Sequence, residues 1–215
     1  MRGCSLFTGA GIAETFLDDL GLNIVVANEL KKERANLYSS VYKKTKMICG
    51  DIEDKKVFEK IINDSGKINF LLASPPCQGM SIAGKNRTLK DMQKDERNHL
   101  IKQVIKFIKI KKPNYAMIEN VPSVLKLEIS QGRKMFNIVD LLKFNFGKDY
   151  NIEAKVLDSS DYGTPQVRKR AIIKIYKKGL KWGWPNKEKK ITVRNAIGHL
   201  PRLEPGEKSK IKWHF

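Results

Sequence analysis

The sequence predicts an α/β protein whose sheet is mostly parallel and ends in an antiparallel final strand. Three observations carry this. Short apolar runs alternate with amphipathic stretches at the spacing of strand–helix–strand units. The last two strand-like runs have only a polar stretch between them, the arrangement of an antiparallel pair. The 215 residues are 41% hydrophobic, enough for one sizeable core.

The elements follow in order. Cys4-Ser5-Leu6-Phe7 is a short apolar strand that runs into Thr8-Gly9-Ala10-Gly11. A helical pattern spans roughly Ile12 to Leu20, with Gly21 as the glycine that closes it. Asn23 to Ala27 reads as a buried strand and Lys31 to Tyr42 as an exposed, charge-laced helix. Met47-Ile48-Cys49 is a brief strand, Asp54 caps a helix to about Asn63, and Phe70 to Ala73 is another buried strand. From Ser74 to about Lys94 the chain is polar and without periodicity. Leu100, Ile101, Val104, Ile105 and Ile108 then form the stripe of an amphipathic helix. Tyr115 to Ile118 is a strand, and Met135, Ile138, Val139 and Leu142 stripe a further helix. The closing strand-like runs are Glu153 to Leu157 and Ala171 to Tyr176. The division is one domain over 1–178 with a basic, irregular tail over 179–215, in which Val193 to Leu200 is a short helical stretch.

Composition excludes several classes. No apolar run approaches the ~18 residues of a membrane span, and the stretch after Arg2 is broken by Gly9, Gly11, Glu14 and Asp18-Asp19, so no signal peptide is read. Cys4, Cys49 and Cys77 are too few for a disulfide framework and too far apart for a paired metal or redox motif. This is the pattern of a cytoplasmic protein with reduced thiols, without membrane or metal. The net charge of +19 is uneven: from Pro165 onward 15 Lys and Arg face three Asp and Glu, a local +12. Charge concentrated in this way suits a nucleic-acid face better than uniform Lys enrichment does.

Four constellations carry chemistry. Phe7-x-Gly9-x-Gly11 occupies a strand-to-helix turn, with Glu29 at the end of the next strand. Glycines there admit a ligand close to the backbone, a helix N-terminus favours an anion, and the acid accepts from ribose hydroxyls. Asp51 adds a polar contact in the same crevice or caps the following helix. Pro75-Pro76-Cys77-Gln78-Gly79 follows the fourth strand, where a rigidly held cysteine serves as a nucleophile when cations lower its pKa. Cys4 and Cys49, inside apolar strands, read instead as small buried residues. Glu119-Asn120-Val121-Pro122 ends the fifth strand; the carboxyl either holds and donates a proton or serves in a cap or salt bridge. Gln166, Arg168 and Arg170 share one face if extended, and two such arginines clamp an anion or else line a solvated strand edge.

In this order and spacing the segments resemble the DNA (cytosine-5) methyltransferases. Ser5 to Gly11 resembles the family's cofactor loop, Asn28-Glu29 its ribose acid, and Gly50-Asp51-Ile52 its adenine-contacting segment. Pro75 to Ser81 is similar to the nucleophile loop, Glu119-Asn120-Val121 to the acid motif, and Gln166-x-Arg168-x-Arg170 to the arginine motif. Arg97 and Leu100 match an Arg-x-x-Leu at a helix start. The resemblance covers essentially the whole chain. It implies a Rossmann-like fold dependent on S-adenosylmethionine, with S-adenosylhomocysteine as product and double-stranded DNA as partner. It implies Cys77, Glu119, Arg168 and Arg170 as catalytic residues, and Gln78, Ser81, Asn120 and Gln166 as substrate contacts. The cofactor contacts it implies are Phe7, Thr8, Gly9, Ala10, Gly11, Ile12, Glu29, Leu30, Asp51, Ile52, Pro76 and Leu100.

The family's arginine motif is followed by a target-recognition domain and two returning motifs, and these are not found before Phe215. The expectation is a catalytic part that takes target recognition from a second polypeptide, as in split restriction-modification methylases; a truncated copy is the other option. Two further readings stand beside it: a tRNA cytosine-5 methyltransferase of the same fold, and a catalytically silent DNA-binding or regulatory homologue. The Gly79-Met80-Ser81 that follows Pro-Cys-Gln resembles the DNA enzymes.

Overall fold

In the computed structural model, which describes residues 1–76, 100–207, 209 and 211, the strand β1 (Arg2–Leu6) lies third in a seven-stranded sheet. On one side follow β2 (Asn23–Glu29) and β3 (Lys46–Cys49); on the other β4 (Phe70–Ala73), β5 (Tyr115–Asn120), β9 (Lys169–Lys177) and β8 (Tyr150–Asp158). The pairs β1–β2, β2–β3, β1–β4 and β4–β5 are parallel, and β9 runs antiparallel to β5. The expected α/β class and antiparallel end hold. Because the chain winds outward from β1 first one way and then the other, the strand order reverses between β1 and β4. A crevice opens at the carboxyl ends of the strands where that happens.

The inner strands β1, β2 and β4 are buried on both faces, which is why they read as continuous apolar runs, while the edge strands β3 and β8 are partly exposed. Along β4, Leu71 and Ala73 face the larger core while Phe70 and Leu72 face the smaller one. Three helices cover the first face: α2 (Lys55–Ser65) through Phe58 and Ile61, α3 (Leu100–Lys111) through Val104, Phe107 and Ile108, and α4 (Ile138–Phe146) through Leu141 and Leu142. On the second face α1 (Lys32–Val41) contributes Tyr38, and the Trp182 ring stands edge-on to Tyr115 with centroids 5.4 Å apart. Buried Lys174 beside it donates to the Trp182 carbonyl and lies 3.4 Å from Glu153.

Several expectations change. The segment from Ile12 to Leu20 is no α-helix but a 3-10 turn (Ile12–Glu14) followed by further turns with i→i+3 bonds. Gly21 does close it: at φ 70° its N–H meets the Asp18 carbonyl while Leu22 N–H reaches Leu17, a Schellman ending without a regular helix before it. Met135 belongs not to the expected helix but to a hairpin, β6 (Glu128–Gln131) with β7 (Lys134–Asn137), turning at Gly132. The helix starts three residues later because Asn137 accepts from the Asp140 N–H as its cap. Cys49 is exposed, since it ends a strand at the sheet's edge. Cys4 is buried as expected, and burial pushes its thiol up to about 12.

The chain divides into two compact units, Met1–Val156 with Arg170–Trp182, and Leu157–Lys169 with Gly183–Phe215. The second holds the 3-10 turn Ser159–Tyr162 and a short helix α5 (Val193–Ile197) with a Thr192–Asn195 capping box. Among the described residues no helix is long and apolar enough to cross a membrane.

Candidate active site

At the end of β1 the backbone turns sharply. Phe7 takes φ 58°, Gly9 59° and Gly11 86°, the left-handed region that costs a non-glycine residue energy. A Cβ at Gly11 would stand 2.3 Å from the Tyr42 ring and 2.8 Å from Tyr38, so a larger residue would have to displace both rings as well as bear the strained φ. This loop leads into a 3-10 turn, so the helix N-terminus expected to favour an anion is not formed.

Glu29 ends β2 beside the loop and is 5% exposed. One of its carboxylate oxygens accepts from Gly9 N–H at 2.9 Å and the other from Lys31 N–H at 3.0 Å. Each oxygen keeps capacity for a further donor such as a ribose hydroxyl. Asn28 donates to the Ile48 and Gly50 carbonyls at 2.9 and 3.1 Å, which fixes the turn that presents Asp51. The exposed Asp51 accepts from Glu53 N–H, while Asp54 alone caps α2.

These groups enclose a cavity of about 230 Å³ in the first unit. Eight of the sequence-predicted cofactor residues line it: Phe7, Gly9, Glu29, Leu30, Asp51, Ile52, Pro76 and Leu100. Thr8, Ala10, Gly11 and Ile12 do not, and Ile12 is 85% exposed because no helix turns it back toward the crevice. Asn28 and Gly50, from the two segments that the resemblance named, line it as well, and Lys31, Arg34 and Ser74 do so without having been predicted as contacts. Arg34 carried a readable sign, a cation in the first turn of the helix that follows the acid. The cavity combines a buried carboxylate, an exposed one and apolar walls from Phe7, Ile52 and Leu100, which fits a group with sugar hydroxyls and a flat ring.

Pro76 and Leu100, the described residues on either side of 77–99, both line this cavity. Cys77, Gln78, Ser81 and Arg97, with the segment to Lys94, lie outside the described residues. The Pro75–Pro76 turn itself is held from β5: the Asn120 amide donates to the Pro75 carbonyl at 3.0 Å and accepts from Val121 N–H at 2.8 Å. Asn120 is 3% exposed, so this expected substrate contact spends its amide inside the protein.

Glu119, next to it, is partnered by a cation rather than standing among apolar neighbours. Its Oε1 lies 2.8 Å from Arg170 Nε, with both side chains partly exposed. The antiparallel register sets Asn120 opposite Ala171, which brings Arg170 to the end of β5. The extended stretch begins only at Lys169, so the face expected of Gln166, Arg168 and Arg170 does not form from Gln166 onward. In the second unit Gln166 and Arg168 are exposed, and their backbone carbonyls accept from the Ser159 hydroxyl and Ser159 N–H. There Lys187 and Lys190 both pair with Asp161, at 2.8 and 3.0 Å, and hold its carboxyl below the usual range. Two charges of the basic tail are thus used internally.

Comparison with known proteins gives this geometry a context. Type II methyltransferase M1.HgaI of Avibacterium volantium is 51% identical across the whole chain, which covers 61% of that protein. Type II methyltransferase M1.HphI of Haemophilus parahaemolyticus is 30% identical over 97% of the chain and 55% of that relative. The chain therefore spans somewhat over half the length of these relatives. A candidate DNA modification methyltransferase encoded within an E. coli prophage shares the fold, with a TM-score of 0.72 and 22% identity over 94% of this chain and 56% of that one. The profile of C-5 cytosine-specific DNA methylases matches residues 1–215, and the chain belongs to that family.

Proposed function

We propose that the chain is the catalytic, cofactor-binding part of a DNA (cytosine-5) methyltransferase of the Type II restriction-modification kind, acting in the cytoplasm. The observation that carries this is the cavity at the strand-order reversal. Phe7, Glu29 and Asp51 wall one side, and Pro76, the residue before Cys77, walls the other.

S-adenosylmethionine, when bound, supplies an electrophilic methyl group. Glu29 receives the ribose hydroxyls, and Phe7, Ile52 and Leu100 enclose the adenine. Cytosine C5 is a poor nucleophile until Cys77 Sγ bonds to C6, which moves electron density onto C5. Once the methyl group is on C5, the C5 proton leaves to a base and the Sγ–C6 bond breaks, returning the thiolate. Glu119 meets N3 and the exocyclic amine, stabilising the adduct and checking the base. Arg168 holds O2, while Arg170 keeps the Glu119 carboxylate in place through their 2.8 Å pair. The base leaves the duplex for this, at a cost of a few kcal/mol.

Transfer of labelled methyl groups tests the reading. Incorporation into duplex DNA and not into tRNA is expected. Transfer to tRNA instead contradicts the DNA substrate, and no transfer to either contradicts the enzymatic reading.

A further inference from the structure

We propose that Glu14 is a positioning residue for the cofactor loop, its buried carboxylate holding the strained Phe7–Gly11 backbone in the shape that walls the cofactor cavity. This rests on the reading that the cavity binds S-adenosylmethionine. Glu14 is 3% exposed, although the sequence around it is that of a surface turn. Its Oε1 accepts the Ser5 hydroxyl from β1 and the Thr8 hydroxyl from the loop, both at 2.5 Å. One oxygen thus ties together the residues on either side of Phe7, whose φ of 58° is costly for an aromatic residue. Glu29 pins the other end of the loop through Gly9 N–H. Glu14 is the anchor from behind and Glu29 the anchor from the cavity.

The arrangement is expensive for folding. Glu14 Oε2 is buried with no hydrogen-bond partner among the described residues, and such an oxygen loses its water without replacement. Burial pushes the carboxyl above the usual range, and the Ser5 and Thr8 hydroxyls pull it back in part. From α1, Tyr38 faces it, its own phenol pushed up first by burial and then by the Glu14 charge. Behind the loop a cavity of about 200 Å³ is lined by Glu14 together with Asp18, Tyr42, Lys43 and Lys44, and Tyr42 donates to the Gly11 carbonyl. This folding cost falls at the back of a binding loop, the kind of place where stability is traded for function.

The ionised carboxylate is the stronger acceptor; protonation or amidation weakens both loop bonds. Calorimetric titration with S-adenosylhomocysteine, from the ordinary carboxylate range up to mildly alkaline pH, tests this on the full chain and on Glu14→Gln. The expected result is affinity about tenfold weaker for Glu14→Gln at the alkaline end, the size of one charge-assisted bond made neutral. Wild-type affinity then falls toward that of the variant as pH drops through the raised Glu14 value, while the variant stays flat. The unfolding midpoint of Glu14→Gln at the alkaline end is not lowered. A carboxyl whose folded-state pKa is raised loses stability as pH rises from the ordinary to the raised value. Ser5→Ala, which removes one donor and keeps the charge, shows a smaller loss of affinity in the same direction. Equal affinity of wild type and Glu14→Gln, or a loss that merely follows a fallen midpoint, overturns the proposal. Absence of binding by the wild type at every pH overturns the cofactor reading, and this proposal with it.

Discussion

At Asn120 one amide does two things for the Pro75–Pro76 turn: it takes up the Pro75 carbonyl, and it fixes the backbone that follows Glu119. Asn120→Ala leaves a buried carbonyl without a donor, at about 1–3 kcal/mol. Denaturant unfolding is expected to show a loss in that range with an unchanged slope, together with a marked drop in methyl transfer because the residue preceding Cys77 is no longer held. Full activity alongside the stability loss would separate the two effects and contradict the positioning role. At this scale the legible residues were those whose chemistry needs only a strand end. Glu29 is one, because an acid closing a buried strand has few structural uses. Glu14 and Asn120 were not legible in their roles, since burial of a lone Glu and the reach of Asn120 to Pro75, 45 positions away, are created by tertiary contact. Arg170 as the partner of Glu119 needed the β5–β9 register, which no local pattern contains.

Elements were legible where a cap or a strong stripe marked them. Asp54 accepts from the N–H groups of Lys56 and Val57 at 2.8 and 3.0 Å, as its position before an amphipathic run suggested. Asp54→Ala is expected to cost about 1 kcal/mol, seen in thermal unfolding, and to leave S-adenosylhomocysteine affinity nearly unchanged because α2 meets the cavity only through the turn before it. The Ile12–Leu20 segment misled for a physical reason. Its apolar residues have helical spacing, yet Ile12, Phe16 and Leu20 are 85%, 71% and 78% exposed. The Glu14 side chain is drawn inward instead, and the turns tighten around it. The hairpin β6–β7 was hidden because Met135 and Phe136 continue the apolar stripe of α4, and only the Asn137 cap separates the two.

At the scale of the molecule, the alternation of elements made the mostly parallel sheet legible, while the strand order and its reversal between β1 and β4, where a ligand is received, came with the structure. Of the 15 Lys and Arg from Pro165 onward, Lys187 and Lys190 pair with Asp161, Arg170 with Glu119, buried Lys174 with Glu153 and Arg202 with Glu204, so much of that charge is balanced within the protein. What the sequence could not supply was the division into two units, in which the strand-closing segment 170–182 returns to the first. The central claim is that this scaffold presents Cys77 to a cytosine. Its most direct test is covalent trapping on 5-fluorocytosine DNA with S-adenosylmethionine present. The fluorine blocks loss of the group at C5 and so preserves the Sγ–C6 bond. The account predicts a denaturation-resistant adduct whose mass maps to Cys77 and which is abolished by Cys77→Ser. An adduct that survives Cys77→Ser, or none with the wild-type chain, would contradict it.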